Sequence, residues 1–114
     1  MSKPYSWAEG LAAAVTVTDA QGTILEMNER ARQTFAKSGG GELVGRSVFA
    51  CHPERAQAKL RELYERHEPH CYTIRKNGQK KVVHQLPWFE NGVFGGLVEI
   101  SVPIADELPH FERT

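Results

Sequence analysis

The segment Lys80–Ile104, KKVVHQLPWFENGVFGGLVEISVPI, contains two β-branched and aromatic runs on either side of Asn91-Gly92. Asn-Gly favours a two-residue turn, so the segment reads as a long antiparallel hairpin. Strands are expected over Lys80–Phe89 and Val93–Ile104. A two-residue turn pairs Phe89 with Phe94, Gln85 with Val98 and Val83 with Ile100. One face then carries Val83, Gln85, Phe89, Phe94, Val98, Ile100 and Val102. The other carries Val82, His84, Leu86, Trp88, Leu97, Glu99 and Ser101. Both faces are substantially apolar, and helices can cover only one. The second must meet the N-terminal segment or another subunit.

Outward from this hairpin, His70–Lys76 is a further strand, joined through Asn77-Gly78. Near the N-terminus, Ala14–Asp19 alternates and is β-branched, Asp19–Gly22 turns, and Thr23–Met27 returns. Asn28 caps a helix over Glu29–Lys37 whose inner face holds Ala31 and Phe35. Gly39-Gly40-Gly41 ends it. Ser47–Cys51 is a short apolar piece, and Pro53 introduces a longer helix, Glu54–Arg66, striped by Ala56, Leu60, Leu63 and Tyr64. Two strands, short helices, one longer helix and three strands make an α+β domain, with one antiparallel sheet covered on one face. Residues 1–10 read as a cap segment, 11–104 as the domain, and 105–114 as a loosely held polar tail.

The 114 residues suffice for one core and one modest cavity. Fourteen basic and 14 acidic residues leave no net field to attract nucleic acid or an anionic membrane. The basic loop Arg75–Lys81 has no stacking aromatics beside it. No apolar run reaches membrane-spanning length, and the first ten residues do not read as a signal peptide. Two cysteines fit reduced thiols, so a cytoplasmic location is expected. Zero net charge leaves self-association unopposed, in keeping with a homodimer.

Phe35, Val48, Phe49, Cys51, Leu60, Leu63, Tyr72 and Val98 are expected to line the space between helices and sheet. Gln85 is a lone amide there that needs a partner, from a ligand or from the protein. Trp7, Leu86, Trp88 and Leu97 form an expected outer-face cluster, a dimer seam or the dock of the N-terminal turn. Cys51-His52-Pro53-Glu54 places a thiol at a helix start, where the dipole favours thiolate, but the peptide is better read as a small buried cysteine followed by a helix-entry turn. Cys51, His52, His70 and Cys71 are a zinc-type ligand set, but adjacent strand residues point to opposite faces and do not converge on one ion. A metal or thiol-redox sensor on Cys51, His52 and Cys71 is the alternative to a binding module. No nucleophile, base and orienting group occur together, so no enzyme is expected.

Over Gly10–Ile104 the chain resembles the PAS family. Val15–Ile24 looks like the family's opening hairpin with its Asp-x-x-Gly turn. Asn28-Glu29-Arg30-Ala31 looks like its helix start, and Leu43-Val44-Gly45-Arg46-Ser47 like the step before its pocket helices. Asn77-Gly78 and the passage from Asn91-Gly92 to Gly95-Gly96 are similar to its later turns. The resemblance implies a five-stranded sheet in the order 2-1-5-4-3, a pocket between helices and sheet, and a sensory role for a small molecule or partner protein. Where the flavin photoreceptor branch keeps its reactive cysteine, this chain has Val48, which argues against that photochemistry. The haem branch takes its iron ligand from the long helix. Here the helix has no histidine, and only His52 and His67 flank it, so haem is off-pattern.

Overall fold

The computed structural model describes residues 7–114 except the side chain of Cys51. Tyr5 and Ser6 of the cap segment, and the Cys51 thiol expected in the pocket or on a metal, lie outside the described residues. The described chain runs β1 (Ala14–Thr18), β2 (Ile24–Met27), α1 (Glu29–Thr34), α2 (Glu54–Arg66), β3 (His70–Lys76), β4 (Gln79–Glu90) and β5 (Val93–Pro103). Three single 3₁₀ turns, Ala36–Ser38, Gly40–Leu43 and Phe49–Cys51, join α1 to α2. The strands form one antiparallel sheet in the order β2-β1-β5-β4-β3.

Local chemistry sets the joints. Asp19 Oδ1 accepts from the amides of Gln21 and Thr23, both at 2.9 Å, and closes the β1–β2 turn. Asn28 caps α1 by accepting from Ala31 N at 3.0 Å, and its Oδ1 also accepts from Val15 N at 2.9 Å. Its amide nitrogen donates to the carbonyls of Ala8 and Ala13, each at 2.8 Å. One buried side chain thus joins the N-terminal segment, β1 and α1. The helix stops at Thr34, short of the expected Lys37, and the chain tightens into 3₁₀ turns before the glycines. Asn77-Gly78 and Asn91-Gly92 both adopt the positive-φ pair of a two-residue hairpin turn.

The β4–β5 hairpin corrects the expected register. Phe89 does pair with Phe94, but Trp88 then pairs with Gly96, so Gly95 is an extra residue in β5. Every pair beyond it moves by one: Leu86 meets Val98, Gln85 meets Glu99 and Val83 meets Ser101. Leu97, expected at the outer seam, therefore faces inward and is buried, while Val98, expected in the pocket, faces outward with Leu86. The glycines are the cause. A Cβ on Gly95 would stand 2.3 Å from the Trp88 ring, and one on Gly96, at φ 143°, would stand 2.0 Å from the Thr18 carbonyl oxygen. The Trp88 indole N–H donates to that same carbonyl at 3.0 Å and locks the bulge against β1.

The inner face carries two apolar clusters. Ile24, Met27, Ala31 and Leu43 form one, joined by Ala14 and Phe35. Leu60 and Leu63 of α2 bury against Leu97 in the other, joined by Phe49, Tyr64 and Phe94. Val48 packs against both.

Candidate functional site

Against the first cluster lies a cavity of about 290 Å³. Its floor comes from alternate residues of four strands: Ala14 and Thr16, Tyr72 and Ile74, Val83, then Glu99 and Ser101. Its roof is the chain from Thr34 and Phe35 through Leu43 and Val48 to His52 and Pro53. The side along β3 is open. Tyr72 and Ile74 are 37% and 39% exposed on this edge strand, and Lys76 and Lys81 stand at the same end. A neighbouring space of about 20 Å³, lined by Thr16, Leu60, Gln85 and Leu97, has room for one water.

The polar groups are few. Gln85, 6% exposed, donates from Nε2 to Glu99 Oε1 at 3.0 Å, so the lone amide finds its partner within the protein. His52 Nδ1 lies 2.8 Å from the Val48 carbonyl oxygen. A carbonyl only accepts, so Nδ1 carries the proton, and in the neutral ring Nε2 is left as an acceptor. Burial raises the Tyr72 hydroxyl above the usual tyrosine range, and the Glu99 charge adds to the effect.

Of the residues expected to line a pocket, Phe35, Val48 and Tyr72 line this cavity, while Leu60 and Gln85 line only the small space. Phe49 and Leu63 lie among the packed residues around Leu97. The long helix therefore fills one end of the inner face, and the cavity wall is the irregular chain before it. Glu99 and Ser101 escaped sequence reading because the bulge reverses their face. Ile74, Lys76 and Lys81 did not need the bulge: strand alternation from Tyr72 and Val83 already places them on this side.

The described members of the expected metal set, His52, His70 and Cys71, do not assemble. His70 pairs with Gln85 on the inner face, while Cys71, exposed, pairs with His84 on the outer face, with Sγ 3.9 Å from His84 Nε2. Among the described residues no group of three His, Cys, Asp or Glu is placed to hold a metal. His67 caps α2 in the left-handed conformation and stacks on Phe94 at 3.8 Å, outside the cavity. His52 does line the cavity, but about 290 Å³ is at the bottom of the range for drug-sized ligands, and a porphyrin is larger than these. The described residues do not fit haem.

At the other end of the inner face, the Thr18 hydroxyl shares a short hydrogen bond with the Tyr64 hydroxyl. It also lies 3.4 Å from the Leu97 carbonyl and accepts from Leu97 N at 3.3 Å. Burial raises Tyr64 above the usual tyrosine range against the lowering effect of the Thr18 bond. This knot ties α2 to the β1–β5 seam.

The family model for the PAS fold matches residues 8–107, and the chain belongs to that family. Among solved structures it is similar to the Aer2 receptor from Vibrio cholerae, described as a dual PAS-haem oxygen sensor. That match has 18% identity and a TM-score of 0.62, and covers 86% of this chain and 99% of that one. The PAS domain of Bordetella pertussis BvgS matches at 18% identity and a TM-score of 0.60, over 86% and 81% of the two chains. The PAS domain of the histidine kinase ThkA matches at 17% identity and a TM-score of 0.63, over 81% and 99%. No curated protein matches the sequence. Among the described residues no helix is long and apolar enough to cross a membrane.

Proposed function

We propose that this chain is a sensory PAS module that binds a small molecule in the cavity over Thr16, Val83, Glu99 and Ser101 and passes the change to a partner. The cavity itself carries the reading. It is mostly apolar, has a few convergent polar groups, and is walled by irregular chain that can shift on binding. Family membership supports it, as do neighbours that are domains of receptors and histidine kinases. Binding rather than catalysis is the reading that membership of the PAS family supports. Native mass spectrometry of freshly purified protein should show a retained small molecule, and Ser101→Leu, which fills the floor, should abolish retention while the fold persists by circular dichroism. A wild-type protein that retains nothing and shows no change on incubation with small-molecule extracts sinks the reading.

The module is proposed to act as a homodimer through the outer face of the sheet. Val82, Leu86, Val98 and Ile100 stand together there, and Leu86 is 36% exposed. Trp7, 73% exposed, is available to join that seam. Leu86→Glu should give a monomer by light scattering under conditions where the wild type is a dimer; a wild type that stays monomeric at high concentration excludes the seam.

A further inference from the structure

The cavity is electrically polarised along its length, and this limits what it can hold. The inward residues fall into rows across the sheet. Ile74, Lys81 and Pro103 make one row, Tyr72, Val83, Ser101 and Ala14 the next, and His70, Gln85, Glu99 and Thr16 the third. Lys81 is thus at the level of Pro103, four residues along β5 from Glu99, a span of about 13 Å in a strand. Lys76 lies on the lysine side of the same end, one turn of alternation beyond Ile74. Neither lysine has a carboxylate partner among the described residues. At the inner end, Gln85 occupies Glu99 Oε1, and none of the described residues donates to the other oxygen of that carboxylate. Between the ends the lining is mostly apolar, with Ala14, Val83, Val48 and Phe35, and its polar groups there are the Tyr72 and Ser101 hydroxyls and the His52 ring.

Resting on the reading of this cavity as a ligand site, we infer that its ligand is an elongated, flat or aliphatic molecule with opposite polar ends. A hydrogen-bond donor, such as a heterocyclic N–H, meets the free oxygen of Glu99, and a carboxylate or similar anion meets Lys76 and Lys81 at the mouth. The physical grounds are complementary. A half-buried carboxylate oxygen without a donor is satisfied by an N–H, and hydrogen bonds to charged groups are the stronger kind. Two lysines at an open edge favour an anion without demanding its full desolvation. The apolar middle excludes ligands polar throughout.

Three indoles separate these features: indole-3-butyrate has both ends, 1-methylindole-3-butyrate lacks the donor, and 3-butylindole lacks the anion. Titration calorimetry of the full chain should show indole-3-butyrate binding at least about tenfold more tightly than either of the others. The double variant K76Q/K81Q should remove the preference over 3-butylindole and keep the preference over the N-methyl compound. Glu99→Ala should do the reverse, and because the N-methyl compound tests the same contact in wild-type protein, instability of that variant does not blunt the test. Equal or tighter binding of 3-butylindole overturns the inference while leaving a ligand-binding cavity in place. If none of the three binds but a retained molecule is seen by native mass spectrometry, the polarity assignment falls and the sensory reading stands. If none binds and nothing is retained, both fall.

Discussion

The two ends of the sheet's inner face are made from the same alternation of side chains, yet one is filled and the other hollow. At the filled end, α2 lays Leu60 and Leu63 on Leu97, and Tyr64 ties the helix to Thr18. At the hollow end, the roof is short 3₁₀ turns and the stretch His52-Pro53, and the edge strand β3 leaves Tyr72 and Ile74 half-exposed. A regular helix presents side chains at close, repeated spacing and can interdigitate with a sheet. Single 3₁₀ turns cannot, so space remains beneath them. The difference places the packed core at one end and the open cavity at the other.

The largest effect should come from the bulge that sets which face of β5 looks inward at both ends. Gly96→Ala forces a side chain into the left-handed region and onto the Thr18 carbonyl. It should cost about 3 kcal/mol or more, read from urea unfolding. A loss under about 1 kcal/mol would mean that the bulge does not depend on Gly96. Next is the direct contrast: Leu63→Ala, 2% exposed at the filled end, should cost about 2–5 kcal/mol, whereas Ile74→Ala at the open edge should cost less than about 1 kcal/mol. Equal losses would remove the distinction between the ends. Tyr64→Phe breaks the knot and should cost about 1 kcal/mol, with amide exchange in α2 rising before that in β4.

The smallest effect is in alkali. Tyr64 and Tyr72 both have pKa values raised by burial above the unfolded value of about 10. The native state holds their protons longer, so this contribution is fully present below about pH 10 and fades as pH rises through the folded values. Thermal midpoints measured between pH 9 and 11.5 should fall, and the double variant Y64F/Y72F should flatten the fall. An unchanged slope in that variant would assign the alkaline loss to other groups.

Most of the frame was legible in the chain. Asn28 as a cap, the Asn-Gly turns, the five strands and the α2 stripe depend on contacts within a few residues, and those contacts are written in local order. The site was only partly legible. Phe35, Val48 and Tyr72 were found because apolar periodicity marks an inward face. Leu97 and Val98 were exchanged because face assignment in a strand depends on parity, and one extra glycine reverses it. Glu99 was therefore placed outside, and with it the charge that polarises the cavity.

The amino-acid order by itself determined the α+β architecture and the turn positions, because φ preferences and side-chain periods act over a few residues. Tertiary structure alone decided which face of β5 looks inward. Gly95-Gly96 permits a bulge without requiring one. The bulge is selected where the Trp88 ring needs room above Gly95 and its indole needs the Thr18 carbonyl, a partner 70 residues away.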